Sequence, residues 1–432
     1  MRSQQEFADF GKKGDIMNIS YHYYTIKTLA SKAGFVEEEA QLIAHYSQMV
    51  DDFLLSNRVI IKETPPSFFM DNNLAQKRKD GSWNFLPCPT GINMVKSVSH
   101  GYQRHTLAPF HFIPSKNLKE IENSSGFSRM DYRCVSAEEQ NGLLIQEILQ
   151  EAARDAKENR GKKSLMRLGM ALHTYADTYA HCHFSGLHGY ENEAVIQKAY
   201  SKVTKSEAVP APERIAFKEL PSIGHANVGT VPDICCYDIA YAMKSSEKSK
   251  LEDVVKRDNT EWFSRCSRRI LDVLCGITGK PLFTEEEWQQ LQAALTQAQY
   301  VKKDTEKILT ESFCKVFPDI RYEYNKNGRL SMELSVENSE EIENNSMMMP
   351  GAWEAGIQKE NREEMLKDAF SPEANSMRCG YNVYMEETTE DFFYYNELAY
   401  ERVKQVAGEY VSQGTMENFC EMCRYDLQCM DR

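Results

Sequence analysis

No stretch of the 432-residue chain approaches the roughly 18 consecutive apolar residues that span a bilayer, so no integral membrane segment is expected. The first twenty residues, MRSQQEFADFGKKGDIMNIS, also lack the continuous apolar core of a secretory signal, and a cytoplasmic location is the expectation that follows. No His-Asp dipeptide occurs, which argues against an HD-type phosphohydrolase, and no H-E-x-x-H occurs, which argues against a zinc protease of that kind. Positive charge is short as well. A net charge of −13 disfavours passive binding to a phosphate backbone and leaves nucleic acid possible only as a substrate, at a site where bound cations supply the local charge. The twelve cysteines are spread from Cys88 to Cys429 without tight framework spacing, so mostly reduced thiols are expected. Cys420 and Cys423, with Cys429, imitate a zinc knuckle, but no second pair follows and helical packing is their expected role. Histidine is missing from the whole chain after His225, which confines histidine chemistry to the N-terminal half.

A hydrophobic fraction of 41% and a charged fraction of 27% are those of a soluble globular protein long enough to bury a large core. In YHYYTIKTLASKA, Ile26, Leu29, Ala30 and Ala33 share one helical face, and Gly34 stands where a helix end favours it. A second helix begins near Val36 with three glutamates in its first turn and runs through Phe53. The two predict an antiparallel hairpin that brings His22 near Asp51 and Asp52. Residues 62 to 116 read as a long irregular excursion ending in FHFIP. Helical periodicity returns over 137–159 and 164–183, and again near 251–275, 284–316, 388–411 and 415–428. Around Asn327-Gly328, IRYEYNKNGRLSMELSV predicts a β-hairpin over 320–336, and the Met347–Met349 run behind it an exposed loop. The expectation is therefore an all-α, mainly helical protein: an extension over 1–20, a core over 21–240, and a helical part over 241–432 packed on it and carrying the hairpin.

The chemistry concentrates in LGMALHTYADTYAHCHFSG. His173 and Asp177 are four residues apart and share a helical face, and His181 adds a further turn on it. His183 can turn inward where the helix ends before Gly186. Imidazole suits zinc, and an aspartate can bridge two cations, so this pattern can feed more than one ion. An isolated H-x-x-x-D is commonly a pair of polar core groups, but further histidines nearby shift the balance toward metal.

This helix resembles the L-G-x-x-L-H-x-x-x-D-x-x-x-x-x-H helix of the zinc-dependent phospholipase C and single-strand nuclease superfamily. HYYTIKTLA, Asp51, FHFIP and GHANVGTVPD resemble its other landmarks, over about residues 20 to 240. The similarity is closest to a bacterial group of uncharacterised members sharing the HYY, FHFIP, LHTYxDT and GH…PD landmarks. The resemblance implies a phospholipase C-like helical bundle holding two or three zinc ions and hydrolysing phosphate esters. Asp51, His111, His173 and Asp177 would hold one ion, and His22 with Asp177 a second. His183 or its rival His181 would hold a third with His225 and an acid. Superfamily members place that acid four residues after the late histidine; here Gly229 stands there, and Asp233 is the nearest acid. Asp51 is the candidate general base. The alternative is a binding or structural protein of the same fold that has lost turnover.

Overall fold

The computed structural model describes residues 19–55, 59–93, 97, 99–207, 222–302, 305–324, 334–336, 383–385 and 388–409. A π-helical turn, Ser20–Thr25, runs into α1 (Ile26–Lys32), and α2 (Glu37–Asp52) folds back beside it. Strands β1 (Val59–Ile61), β2 (Ala75–Lys77) and β3 (Trp83–Phe85) follow, then a short helical stretch from His100 to Phe110. The chain continues through α3 (Leu143–Glu158), α4 (Lys162–His181), β4 (Ala194–Ser201), β5 (Ser206–Glu207), β6 (Tyr237–Met243) and β7 (Asp253–Asp258). Helices α5 (Asn259–Thr278), α6 (Glu285–Gln299) and α7 (Glu306–Val316), strands β8 (Leu334–Val336) and β9 (Val383–Met385), and α8 (Glu390–Ala407) complete it.

Helix α4 is the axis of the core. From Ser164 to His181 every residue except Arg167 is buried, which marks a helix surrounded by other elements rather than lying on a surface. It crosses α2 at Gly169, where an added Cβ would stand 2.4 Å from the Ile43 carbonyl oxygen, so only glycine permits this backbone approach. One turn beyond that crossing lies His173. The other helices are held by local signals that the sequence carries. Thr284 and Glu287 cap α6 reciprocally. Asp258 accepts from the Thr260 and Glu261 amides at the start of α5, and Gly279 ends that helix in the left-handed region.

The protein is mainly helical but not all-α, because the described residues also build two small sheets. One has the order β2-β3-β1-β9-β8, with β1 and β9 parallel and the other pairs antiparallel. The second is antiparallel throughout, in the order β5-β4-β6-β7, and covers a smaller apolar cluster that includes Phe112, Phe184, Ile196, Val228 and Tyr241. The phospholipase C-like bundle expected from the sequence stays with the proposal below.

Three expectations change. Residues 321–324 form no strand, and Leu334–Val336 pairs with Val383–Met385 instead of folding back on them. Tyr322 donates to or accepts from Thr28 Oγ1 at 2.7 Å, the Glu323 amide donates to Tyr23 Oη, and its carbonyl accepts from Gln41. The helical hairpin has taken the hydrogen bonds that a β partner would need. Residues 325–333, the methionine run and the Cys420–Cys429 segment lie outside the described residues. The 284–316 helix is two helices, and the segment expected to be helical from 251 begins as β7. Among the described residues no helix is long and apolar enough to cross a membrane, and the eight described cysteines form no disulfide.

Candidate metal centre

Four places in the chain converge on Asp177. The π-helical turn delivers His22, the end of α2 delivers Asp51, the residue after Phe110 is His111, and α4 contributes His173 and Asp177 itself. Asp177 Oδ2 lies 3.0 Å from His111 Nδ1 and 3.3 Å from His173 Nε2, and those two nitrogens are 3.4 Å apart. Asp51 Oδ1 stands 3.7 Å from His173 Nε2 and 3.9 Å from His111 Nδ1. Ligand atoms at the corners of a tetrahedron around zinc, at bonds of 2.0–2.1 Å, are separated by about 3.3 Å. Asp177 Oδ2, His111 Nδ1 and His173 Nε2 therefore have the spacing of a coordination shell, with Asp51 Oδ1 within 3.9 Å of both nitrogens. The other Asp177 oxygen, Oδ1, lies 3.1 Å from His22 Nε2, yet among the described residues neither atom has a hydrogen-bond partner. Both ring nitrogens of His22 and Nδ1 of His173 are buried without one as well. Buried polar atoms left in that state are costly, and a cation at the convergence would satisfy them.

A second group sits beyond the end of α4. His181 Nε2 is 3.1 Å from Asp233 Oδ1, and His225 Nε2 is 3.4 Å from Asp233 Oδ2. His181 Nδ1 lies 3.6 Å from Asp177 Oδ2, which links this group to the first. The ligand-type atoms of His22, Asp51 and His173, of His111, His173 and Asp177, and of His181, His225 and Asp233 each lie within 4.8 Å of one another.

Three of the histidines have their tautomer fixed by the backbone. His111 Nε2 donates to the Thr90 carbonyl at 2.8 Å, His181 Nδ1 to the His111 carbonyl at 2.7 Å, and His225 Nδ1 to the Gly229 carbonyl at 2.6 Å. A carbonyl only accepts, so a proton sits on the bonded nitrogen, and the other nitrogen, the one that can ligate when deprotonated, faces the cluster. Supporting acceptors of this kind are the usual companions of metal-bound imidazole. Gly91 sets the first of them: a Cβ there would lie 2.1 Å from the Asp51 carbonyl oxygen, so glycine lets the Thr90–Gly91 backbone run against the end of α2.

Electrostatics agree with a site that wants positive charge. Burial pushes the Asp177 carboxyl up, but His173 and His181 beside it outweigh burial and hold it well below the usual carboxylate range. Burial, reinforced by neighbouring His22, pushes His173 down to about 3, so it is a neutral ligand at ordinary pH. Burial would lower His181 too, but the Asp177 and Asp233 carboxylates overcome it and lift His181 to about 9. Without a cation, His181 itself carries the compensating charge. Burial lowers His225 against the pull of Asp233.

His183 does not join either group. Helix α4 ends at His181, and His183 takes a left-handed backbone with φ 80°, its amide donating to the Cys134 carbonyl. Its ring has Glu139, Arg257 and Arg133 for charged neighbours, and burial lowers its pKa. Of the two rivals, the structure brings His181 to His225 and Asp233. Asp233 arrives through two 3-10 turns, Ala226–Val228 and Val231–Asp233, rather than through a helix, so an acid eight residues after His225 still faces it. His105 lies apart, 3.7 Å from Glu409.

Fold and site together define a mainly helical protein with buried histidine–aspartate groups that could hold metal ions. The chain belongs to DUF6765, a family of unknown function whose profile matches residues 17–408. No curated protein and no solved structure matches it.

Proposed function

We propose that this chain is a metal-dependent hydrolase of phosphate esters that works with two or three zinc ions, phosphodiesterase-like in reaction and phospholipase C-like or nuclease-like in fold. The observation that carries the reading is the convergence of Asp51, His111, His173 and both oxygens of Asp177, with His22 alongside, at ligand spacing in a buried site. Bound there, zinc would polarise phosphoryl oxygens and generate a nucleophile from water at neutral pH. The resemblance to the phospholipase C and nuclease superfamily supports that chemistry over others open to a histidine–aspartate cluster.

Asp51 is the residue through which substrate and site meet. Its side chain is 11% exposed, whereas those of His22, His111, His173 and Asp177 are fully buried. It stands at the end of α2 and is held on one side by Gln48 Nε2, 3.4 Å from Oδ2. From that position its carboxylate takes the proton from attacking water, and the buried ligands behind it keep their orientation. Hydrolysis of a chromogenic phosphodiester by the zinc-loaded full chain tests the reading, and Asp51→Asn is expected to abolish it.

The enclosure of the first group also favours a second reading, a metal-containing binding or structural protein of the same fold. Bound metal with no turnover across phosphomonoesters, phosphodiesters, phospholipids and single-stranded nucleic acid would sink the enzyme reading and leave this one.

A further inference from the structure

Arg257, near the end of β7, is buried at 8% exposure and forms no ion pair among the described residues. Its hydrogen bonds are unusual in where they go. Nη1 donates to the Tyr179 carbonyl at 2.7 Å and the Ala180 carbonyl at 3.1 Å, and Nη2 donates to the Pro232 carbonyl at 2.8 Å. Nε donates to Asn259 Oδ1 at 2.7 Å. Asn259 in turn donates from Nδ2 to the carbonyls of Val231, Pro232 and Ile234 at 3.1, 3.3 and 2.9 Å. Tyr179 and Ala180 are the last residues before His181, and Pro232 is the residue before Asp233.

We propose that Arg257 is the positioning residue of the His181–His225–Asp233 group, one rigid fork that ties the end of α4 to the turn carrying Asp233 and so sets that group's grip on its metal ion. This rests on the metal-centre reading above and deepens it. The final carbonyls of a helix have no partner within the helix and form its negative end, so a guanidinium there satisfies acceptors and charge together. A buried guanidinium without a carboxylate is expensive, and here the planar fork makes three bonds to carbonyls from two separate segments. Among the described residues no other side chain donates to both segments. Trp262 Nε1 donates at 2.6 Å to the Tyr179 carbonyl and to nothing in the Val231–Asp233 turn. Lysine cannot replace the fork, because one ammonium does not span two carbonyl sets in a plane.

Arg257 donates to none of the ligand side chains, and it grips α4 only at Tyr179 and Ala180 beside His181, beyond His173 and Asp177 of the first group, so the clamp bears on the second group. The test is a chelator titration of the zinc-loaded full chain, reading ions retained per chain, for wild type, Arg257→Met, Arg257→Lys, His181→Ala and Asp51→Ala, with circular dichroism to establish folding. Arg257→Met is expected to release the ion that His181→Ala releases at about 10- to 100-fold lower chelator concentration than wild type, the range typical of lost supporting contacts. The ions sensitive to Asp51→Ala should keep the wild-type midpoint. A folded Arg257→Met with every midpoint within threefold of wild type overturns the proposal alone and leaves the metal centre standing. Should Arg257→Met fail to fold, Arg257→Lys decides: selective weakening of the His181-sensitive ion supports the clamp, and a midpoint within threefold overturns it. Equal weakening of both groups overturns it as well, since that is the mark of general loosening. A wild-type chain that takes up no zinc overturns both this and the reading it rests on.

Discussion

In metal-free protein, His181 should make stability fall as pH rises from 6 to 9. Asp177 and Asp233 lift its folded pKa to about 9, against an unfolded value near 6.5. A raised pKa means the folded state holds the proton more tightly, so the stabilisation is complete below about 6.5 and is lost as pH climbs through 9. At about 1.4 kcal/mol per tenfold step, the loss is about 3 kcal/mol. His181 is fully buried, and solvent screening does not reduce that figure much. The assay is urea denaturation of chelator-treated full chain at pH 6 and pH 9, beside His181→Gln, which removes the titrating group while other alkaline effects remain. Wild type should lose about 3 kcal/mol more than the variant across the window. Reloading with zinc should flatten the difference, because the ion replaces the proton on Nε2. Equal losses in wild type and His181→Gln, within about 1 kcal/mol, would refute the reasoning about Asp177 and Asp233.

The acid side runs oppositely. His173, pushed down to about 3, contributes stability above about 6.5 that is lost as pH falls toward 3, so chelated protein should melt highest near pH 6.5 in a thermal scan. His183→Ala should keep the full zinc complement by elemental analysis while His181→Ala does not; equal loss in both would return His183 to the site. Gly169→Ala forces a Cβ against the Ile43 carbonyl and should cost about 1–3 kcal/mol in denaturant midpoints while also weakening zinc retention, since it separates α4 from α2 where His173 meets Asp51. Phe313→Ala, in the core against Tyr24 and Tyr322, should cost about 3–5 kcal/mol yet leave metal content unchanged.

The site was more legible in the sequence than the fold around it. Spacing by four puts His173, Asp177 and His181 on one helical face, and the three side chains meet because α4 stays regular to its last residue. The early hairpin turns back as its periodicity implies, which carries His22 to Asp51. His183 could not be separated from His181, because the choice depends on where the helix stops and on a left-handed residue just past it. The carbonyls of Thr90, His111 and Gly229, which fix three imidazoles, left no trace, since every residue has a carbonyl. Arg257 was equally hidden: an arginine at a strand end signals a solvated charge until the chain shows what lies beneath it. The second sheet escaped because β4 breaks its alternation with an irregularity between Ile196 and Lys198, and exposed Gln197 and Lys198 stand side by side there. The predicted 320–336 hairpin failed for the opposite reason. Its alternation is present, but Tyr322 belongs to the helical core, and the strand that forms pairs with residues nearly fifty positions away.

Metal content per chain of the purified full-length protein, wild type beside His173→Ala, bears on the centre most directly. The arrangement around Asp177 predicts two or three zinc ions in wild type and loss of those held by the first group in a folded His173→Ala. A wild-type protein that binds no zinc after reconstitution, or a His173→Ala variant that binds as much as wild type, would contradict it.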